Sequence, residues 1–395
     1  GDDGKYRLKL WEWRSLGAIV IGLTTASAGA YYAYFACALF LAAGLYGWVA
    51  LKTSRAMLSA CGLIGITVAG GLLNHYPTFV YQAQYGRNSA PPARLSEEAE
   101  IYGLKIAHMV LPMSEHNWEV FAKIKSLYNT DARPLQNENE RASLGLIGAA
   151  GLLGLLSVLV LPVRKPWPYG PMAALVVFSI LIGTIGGFGA VFNHLFMNQV
   201  RCYNRISVYI AFLCYFTTVW YLDRWFLARN GWVRWLRIPT FVGLISLGIW
   251  DQTPYQWFRP KIIENMKKEA DRFKADAVFY KEVEEHLAAE DPQFGRGRNV
   301  FTLPFIAYPE SDWIQKLSSY EHARGYLHTD TLAWSFGAIK GREVDAWQRE
   351  VSVLPASRML ERLVLRGFDG LTVDKRGYTP KRDRKSTRLN SSHRT

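Results

Sequence analysis

The chain has 395 residues, half of them hydrophobic, and a formal net charge of +13. A mean hydropathy near zero would be typical of a soluble protein, but nearly all long apolar runs lie before residue 250, which predicts a membrane protein with a soluble C-terminal part. The positive charge lies beside the apolar runs and in a non-native-looking basic tail at 381–395, so it does not indicate a nucleic-acid partner.

The N-terminal region, 1–73, is predicted to contain transmembrane helices 1–3. The run 16–51 is just long enough for two crossings of about 17 residues each, with a break at 27–30 centred on Gly29. The run 56–73 then crosses back. Because the chain begins Gly-Asp-Asp-Gly without a signal peptide, we expect a C-terminal fragment of a longer protein.

The next region, 74–142, is predicted to be an extracytoplasmic loop and helical subdomain. Transmembrane helices 4–7 follow in 143–250, giving about seven crossings. The predicted helices of both regions are 97–110 and 116–128, then 143–163, 171–191, 206–222 and 238–250. Glycines recur every third residue from Gly145 to Gly154, a spacing that permits close helix contact in lipid.

Basic residues assign the orientation of this bundle. One set falls on a single side, which the positive-inside rule makes cytoplasmic: Arg14, Lys52, Arg55, Arg164, Lys165 and the arginines of 224–237. The loop 74–142, the link 193–205 and the C-terminal domain are therefore predicted to lie outside.

The pattern of residues 251–380 predicts a small extracytoplasmic α/β domain. A charged helix is predicted over 261–289, and the other predicted elements are strands at 299–303 and 370–374 and helices at 344–351 and 357–366. This alternation favours a partly parallel sheet. The predicted fold class is thus an α-helical transmembrane bundle followed by a small α/β domain.

The link 193–205 is the strongest candidate site, because Arg201 and Arg205 violate the positive-inside rule and need a compensating partner. A guanidinium binds phosphate through paired hydrogen bonds, so the phosphate of a lipid carrier is one such partner. Further candidate donors in the link are Asn193, His194, Tyr203 and Asn204. The alternative is that the arginines reach ordinary lipid headgroups or pair with acids of the loop 74–142.

Polar residues of the outer loop form a second candidate group. His75 and Glu138 lie in segments directly against membrane ends, and together with Glu100 they could contact a sugar or its carrier. His108 and His116 lack the close spacing of helical metal ligands, so no metal site is predicted and a divalent cation has no support.

The aromatic segments 320–328 and 334–342 fit either a glycan surface or the core of the C-terminal domain. The core is favoured, because Tyr, Trp and His commonly bury with one hydrogen bond. Nucleotide chemistry is excluded by the lack of a Walker loop, and the glycines at 186–189 lie inside an apolar run.

Several segments resemble large bacterial membrane proteins of the glycosyltransferase C type, a group that includes sugar translocases and phosphoglycerol transferase-related proteins. The resemblance is carried by YYAYF at 31–35, EIYGLK at 100–105, PLQNEN at 134–139, ASLG at 142–145, RCYNRIS at 201–207, YLH at 326–328 and GAIKGR at 337–342.

The resemblance implies transfer of a sugar from a polyprenyl-phosphate carrier at the outer face of the bacterial inner membrane. It implies that Arg201 and Arg205 hold the carrier phosphate and that the catalytic acid lies in a first outer loop, which we expect to precede this chain. Glu100 and Glu138 remain candidates for acceptor contact or acid–base work. The implied partners are membrane lipid, the lipid-linked sugar and a glycan or lipid acceptor, and no cofactor beyond the donor is implied.

Two other functions fit the sequence. A translocase would move a sugar or lipid-linked sugar without covalent chemistry, and it predicts discontinuous helices with polar residues at mid-membrane depth. A membrane scaffold would use its outer domain to bind a partner. The polar residues gather at the outer edge of the predicted crossings, which favours transfer.

Overall fold

A computed structural model describes residues 12–50, 52–91, 94–132, 139, 142–161, 168–197, 199–253, 260–290 and 297–379. The chain divides into two compact units, the first formed by 1–81 and 94–259 and the second by 82–93 and 260–395. The predicted tail at 381–395, and Arg164 and Lys165, lie outside the described residues.

The first helices match the predicted hairpin. Helix α1 spans Trp13–Ser27 and α2 spans Ala30–Val49, and the turn between them depends on Gly29, whose φ of 120° suits glycine. Helix α3 spans Ser54–Tyr85, so the prediction that it ends at 73 is wrong. Apolarity falls at Asn74, but the helix continues past Pro77, because a proline within a long helix removes one hydrogen bond without always ending it.

The predicted helix at 97–110 is interrupted. It forms α4 (Glu98–Ile101) and α5 (Ile106–Val110), and α6 follows at Glu119–Asp131. Between α4 and α5, Leu104 forms a parallel β-bridge with Thr184. This contact from another part of the chain overrides the local helical pattern.

The predicted crossing at 171–191 is also interrupted, since α8 spans Tyr169–Gly183 and α9 spans Phe188–Leu195. Gly186 has a φ of 68°, a conformation that glycine adopts readily. The other helices of this unit are α7 (Gly145–Val160), α10 (Ser207–Leu227) and α11 (Arg237–Gln252).

Contacts at the helix ends show which helices run in the same direction. Gly148 of α7 lies against the ring of Tyr215 of α10, and Gly151, three residues on, lies against Thr218, also three residues on, so α7 and α10 run parallel. Helix α8 runs opposite to them, because Gly183 at its end lies against Ile206 at the start of α10.

The membrane prediction is confirmed in its coarse form. Among the described residues, three segments are long and apolar enough to cross a membrane, namely Ala30–Val49, Ser54–Tyr85 and Tyr203–Leu227. Helices α7 and α8 are apolar but shorter.

The second unit contains the long helix α12 (Pro260–Glu290), as predicted from its charge pattern. Strands β1 (Arg298–Leu303) and β3 (Gly370–Val373) confirm the predicted strands, whereas β2 (Leu332–Trp334) was missed because three residues carry too little pattern. The described strands form a parallel sheet in the order β2-β1-β3.

The other α-helices described in this unit are α13 (Arg324–His328), α14 (Glu343–Ser352) and α15 (Ala356–Leu365). One face of β1 buries Phe301 against Val351 of α14 and Met359 of α15. The opposite face buries Val300 with Trp334 and Leu287 of α12. The small sheet is therefore covered on both faces, as a parallel sheet requires.

The close contact of α7 with α10 gives a stability prediction. A Cβ at Gly151 would lie 2.7 Å from the carbonyl oxygen of Cys214, whereas a Cβ at Gly154 meets nothing within 4 Å. We expect Gly151→Ala to lower the free energy of unfolding by about 1–3 kcal/mol through overpacking. Thermal unfolding of the detergent-solubilised protein measures this, with Gly154→Ala as the matched control. Equal stability of the two variants would contradict the described helix contact.

Candidate functional site

The break between α8 and α9 is held by the segment 100–105. The N–H of Leu104 donates to the carbonyl of Gly183 at 2.6 Å, and the N–H of Ile185 donates to the carbonyl of Leu104 at 3.3 Å. The N–H of Gly186 donates to Glu100 Oε2 at 2.8 Å. The carboxylate of Glu100, a candidate for acid–base work, therefore accepts a hydrogen bond from a peptide N–H at the break.

Asn139, next to the predicted candidate Glu138, supports the same segment. Its side chain donates to the carbonyl of Gly103 at 2.5 Å and accepts from the N–H of Lys105 at 3.3 Å. Asn139 is buried, so it fixes the backbone of 103–105. Glu138 itself lies outside the described residues.

Two of the predicted binding residues fix the backbone of the link from within. Asn193 donates to the carbonyl of Val200 at 2.6 Å, and its Oδ1 accepts from the Tyr203 hydroxyl at 2.9 Å. Both side chains are buried, and the Tyr203 hydroxyl also lies 3.5 Å from that of Tyr34 on α2. Asn193 and Tyr203 thus shape the link, and neither presents an exposed donor.

Arg201 lies at the edge of this buried cluster. Its Nη1 is 3.7 Å from Glu98 Oε2, which makes an ion pair but exceeds hydrogen-bond distance, and its side chain is 29% exposed. The guanidinium also lies over the ring of Tyr102, 5.4 Å from its centroid. Burial acts to lower the pKa of Arg201, but Cys202 and Glu98 outweigh it and the pKa is raised.

Arg205 is held in a similar way by a different helix. Its guanidinium lies 4.9 Å from the ring centroid of Tyr31, near the start of α2. Cation–π contacts of this kind contribute about 0.5–1 kcal/mol at exposed positions. Each arginine is therefore placed on an aromatic face.

Asn204 connects the link to the segment 100–105. Its backbone N–H donates to the carbonyl of Tyr102 at 3.1 Å, and this bond sets the position of Tyr102 relative to Arg201. Within the described part of the chain, Asn204 Oδ1 is buried without a hydrogen-bond partner, as is Glu98 Oε2. The site thus contains both cationic donors and unused acceptors.

The two remaining candidates are placed differently. His194 is exposed near the end of α9. His75 is exposed within α3, where its ring lies 6.5 Å from that of Phe79. The predicted loop position of His75 is thus wrong, because the helix continues through it.

Sequence reasoning missed Glu98, Tyr102 and Tyr31 as partners of the arginines. The signal available was the set of acids at 97–100, and the ion pair with Glu98 agrees with the alternative that an arginine pairs with acids of 74–142. The rings gave no separate signal, since Tyr31 and Tyr102 lie about 100 or more residues before the link.

The two histidines at 108 and 116 have structural partners. His116 accepts the N–H of Trp118 at its Nδ1, so its Nε2 donates to the buried Asp251, 2.9 Å away. His108 contacts the fully buried Lys125 through Nδ1. Across the described ranges, no group of three or more residues has the composition to bind a metal.

Comparison with protein-family models, with curated proteins and with solved structures found no match to this chain.

The His108–Lys125 contact gives a pH prediction. Burial, together with Lys125 and Lys105, lowers the pKa of His108 to about 4 in the folded chain, against about 6.5 when unfolded. The unfolded chain therefore takes up a proton first, so the stability contributed by neutral His108 is complete above pH ~6.5 and is lost as the pH falls towards ~4.

Thermal unfolding between these pH values tests this expectation. His108→Gln, which keeps an acceptor for Lys125 but does not titrate, should show a shallower loss of stability on acidification than the wild type. The same slope in both proteins would contradict a neutral buried His108.

Proposed function

We propose that the chain belongs to a membrane glycosyltransferase of the C type, in which Arg201 and Arg205 hold the phosphate of a polyprenyl-linked sugar donor. The observation that carries the proposal is that the Arg201 guanidinium donates no hydrogen bond to any described residue, although it is partly buried within the polar link. A cation with unused, oriented donors at the end of apolar helices suits an anionic lipid headgroup.

The contacts of helix ends support a bundle of seven crossings. Helices α1, α3, α8 and α11 run opposite to α2, α7 and α10. Gly44 and Gly47 of α2 lie against Ala60 and Ala56 of α3, and Gly170 at the start of α8 lies against Tyr46 near the end of α2. Helices α1 and α3 run parallel, since Gly22 lies against Thr67 and Ala26 against Gly70, and Asp251 near the end of α11 accepts from the N–H of Leu146 in α7. In this proposal the link, the α1–α2 turn and the segment 98–131 share one membrane face. The basic residues of 224–237 then make the opposite face cytoplasmic, and the link faces outward in the bacterial inner membrane.

The proposed chemistry assigns a different role to each part of the site. Sugar transfer breaks the bond between the anomeric carbon and the phosphate oxygen, and the departing phosphate gains negative charge. Arg201 and Arg205, held over Tyr102 and Tyr31, would stabilise this charge because they are oriented before the reaction begins. His194 and Asn204 are the remaining polar residues beside the phosphate position, and the acceptor would be a glycan or lipid hydroxyl.

A translocase of lipid-linked sugar is the second candidate, and the break between α8 and α9 favours it. Discontinuous helices recur at the binding sites of transporters, where exposed peptide groups coordinate the cargo. Here the segment 100–105 already occupies several peptide groups of the break, including those of Gly183, Ile185 and Gly186. The two functions differ in whether the sugar–phosphate bond is broken.

Substitution of the two arginines tests the transferase proposal. In membranes containing the full-length protein, we expect Arg201→Ala and Arg205→Ala each to reduce turnover of lipid-linked sugar by roughly 10²-fold, as removal of an oriented charge-stabilising donor does. Arg229→Ala is the matched control, because Arg229 also lies 4.9 Å over an indole ring, that of Trp225, outside the link.

Unchanged turnover in both link variants at matched expression would make these arginines ordinary headgroup anchors. Transbilayer movement of the lipid-linked sugar without any product would instead support the translocase.

Glu98 should weaken phosphate binding, because its carboxylate competes for Arg201. A long ion pair between partly exposed side chains is worth about 0–1 kcal/mol, so Glu98→Gln should tighten binding of a polyprenyl phosphate by up to about fivefold. Titration of the purified protein by native mass spectrometry measures this, with the exposed neighbour Glu97→Gln as control. Weaker binding in Glu98→Gln would contradict the competition.

A further inference from the structure

A cavity of about 530 Å³ lies beside the edge strand β2 in the second unit. Its size falls within the range of small-molecule sites, about 300–1,000 Å³. Aromatic rings supply much of the wall, namely Tyr308, Tyr326, Trp334, Phe336 and Phe368. The cavity is open to solvent, because Tyr326 and Val344 on its wall are each 50% exposed.

Among the described residues, those that line this cavity include no charged side chain. The charged residues of the unit lie elsewhere, for example in the ion pairs that join Glu321 to Arg272, Arg324 and Arg376. A phosphate, a carboxylate or a metal ion would find no counter-charge on the cavity wall. The ligand that fits is therefore neutral.

Amide side chains provide the polar part of the wall. Gln348 of α14 is 6% exposed and donates from Nε2 to the carbonyl of Ser335 at 2.8 Å. Asn299 donates from Nδ2 to the carbonyl of Gly367 at 2.9 Å. Each amide is oriented by one bond to the fold, and no described residue donates to Gln348 Oε1. This acceptor remains available to a hydroxyl group.

We propose that this cavity binds a neutral carbohydrate ring. The C–H faces of a pyranose are apolar and pack on aromatic rings, while its hydroxyl groups require amide acceptors and donors at the rim. A purely apolar ligand would cover Gln348 Oε1 without giving it a hydrogen bond, which is unfavourable. The assignment uses only residues of the second unit, so its test is independent of the phosphate role proposed for Arg201.

Saturation-transfer NMR on the full chain tests the proposal. The protein is kept in an amine-oxide detergent, because sugar-based detergents would compete, and the probes are maltose, cellobiose, lactose and N,N′-diacetylchitobiose at millimolar concentration. We expect transfer to the ring C–H protons of at least one disaccharide. Lack of transfer to all four would overturn the proposal.

Two variants that fill the cavity locate the binding. Val344→Trp and Ala333→Phe both place a large ring on the cavity wall, at positions that are exposed and so tolerate size. Each should weaken disaccharide binding by about tenfold or more. Val364→Trp, on the exposed surface of α15 and not on the cavity wall, is the matched control.

Full binding in both cavity variants would overturn the proposal, as would equal loss in the control. Displacement of the sugar signal by an apolar peptide that binds more tightly would assign the cavity to a peptide side chain instead.

Discussion

The arrangement of the first unit depends on how the chain satisfies peptide groups where the helix after residue 168 is interrupted. Buried N–H and C=O groups need partners, and lipid supplies none. Leu104 bonds to both sides of the break, and Glu100 accepts the N–H of Gly186. The short segment 100–105 is thereby fixed against apolar helices, which gives it a defined position instead of the mobility of an ordinary loop.

That position determines the geometry of the arginine site. The segment that bonds to the break also carries Glu98 and Tyr102, and the carbonyl of Tyr102 accepts the N–H of Asn204. Arg201 is therefore oriented by the same few residues that satisfy the broken helix. Asn193 and Tyr203 are buried within the link, so their substitution would disturb its backbone and would not remove a direct contact with a ligand.

The sequence predicted the elements whose signal is local. The Gly29 turn, the charge pattern of α12 and the alternating strand β1 all depend on neighbouring residues, and the structure confirms them. The interruption at 184–187 and the split of 97–110 were missed, because each exists through contact with the other across about 80 residues. The link between apolar runs was recognised from its polar residues and its role as a site stays a prediction, whereas the aromatic partners of its arginines come from distant segments and have no local signal.

We propose that the link and the segment 98–105 receive the phosphate of a lipid carrier. A polyprenyl phosphate with a photoreactive group beside the phosphate tests this in membranes containing the full-length protein. After illumination and peptide mass spectrometry, we expect cross-links within 98–105 and 199–206. Cross-links confined to the arginine-rich segment 224–237 would contradict it.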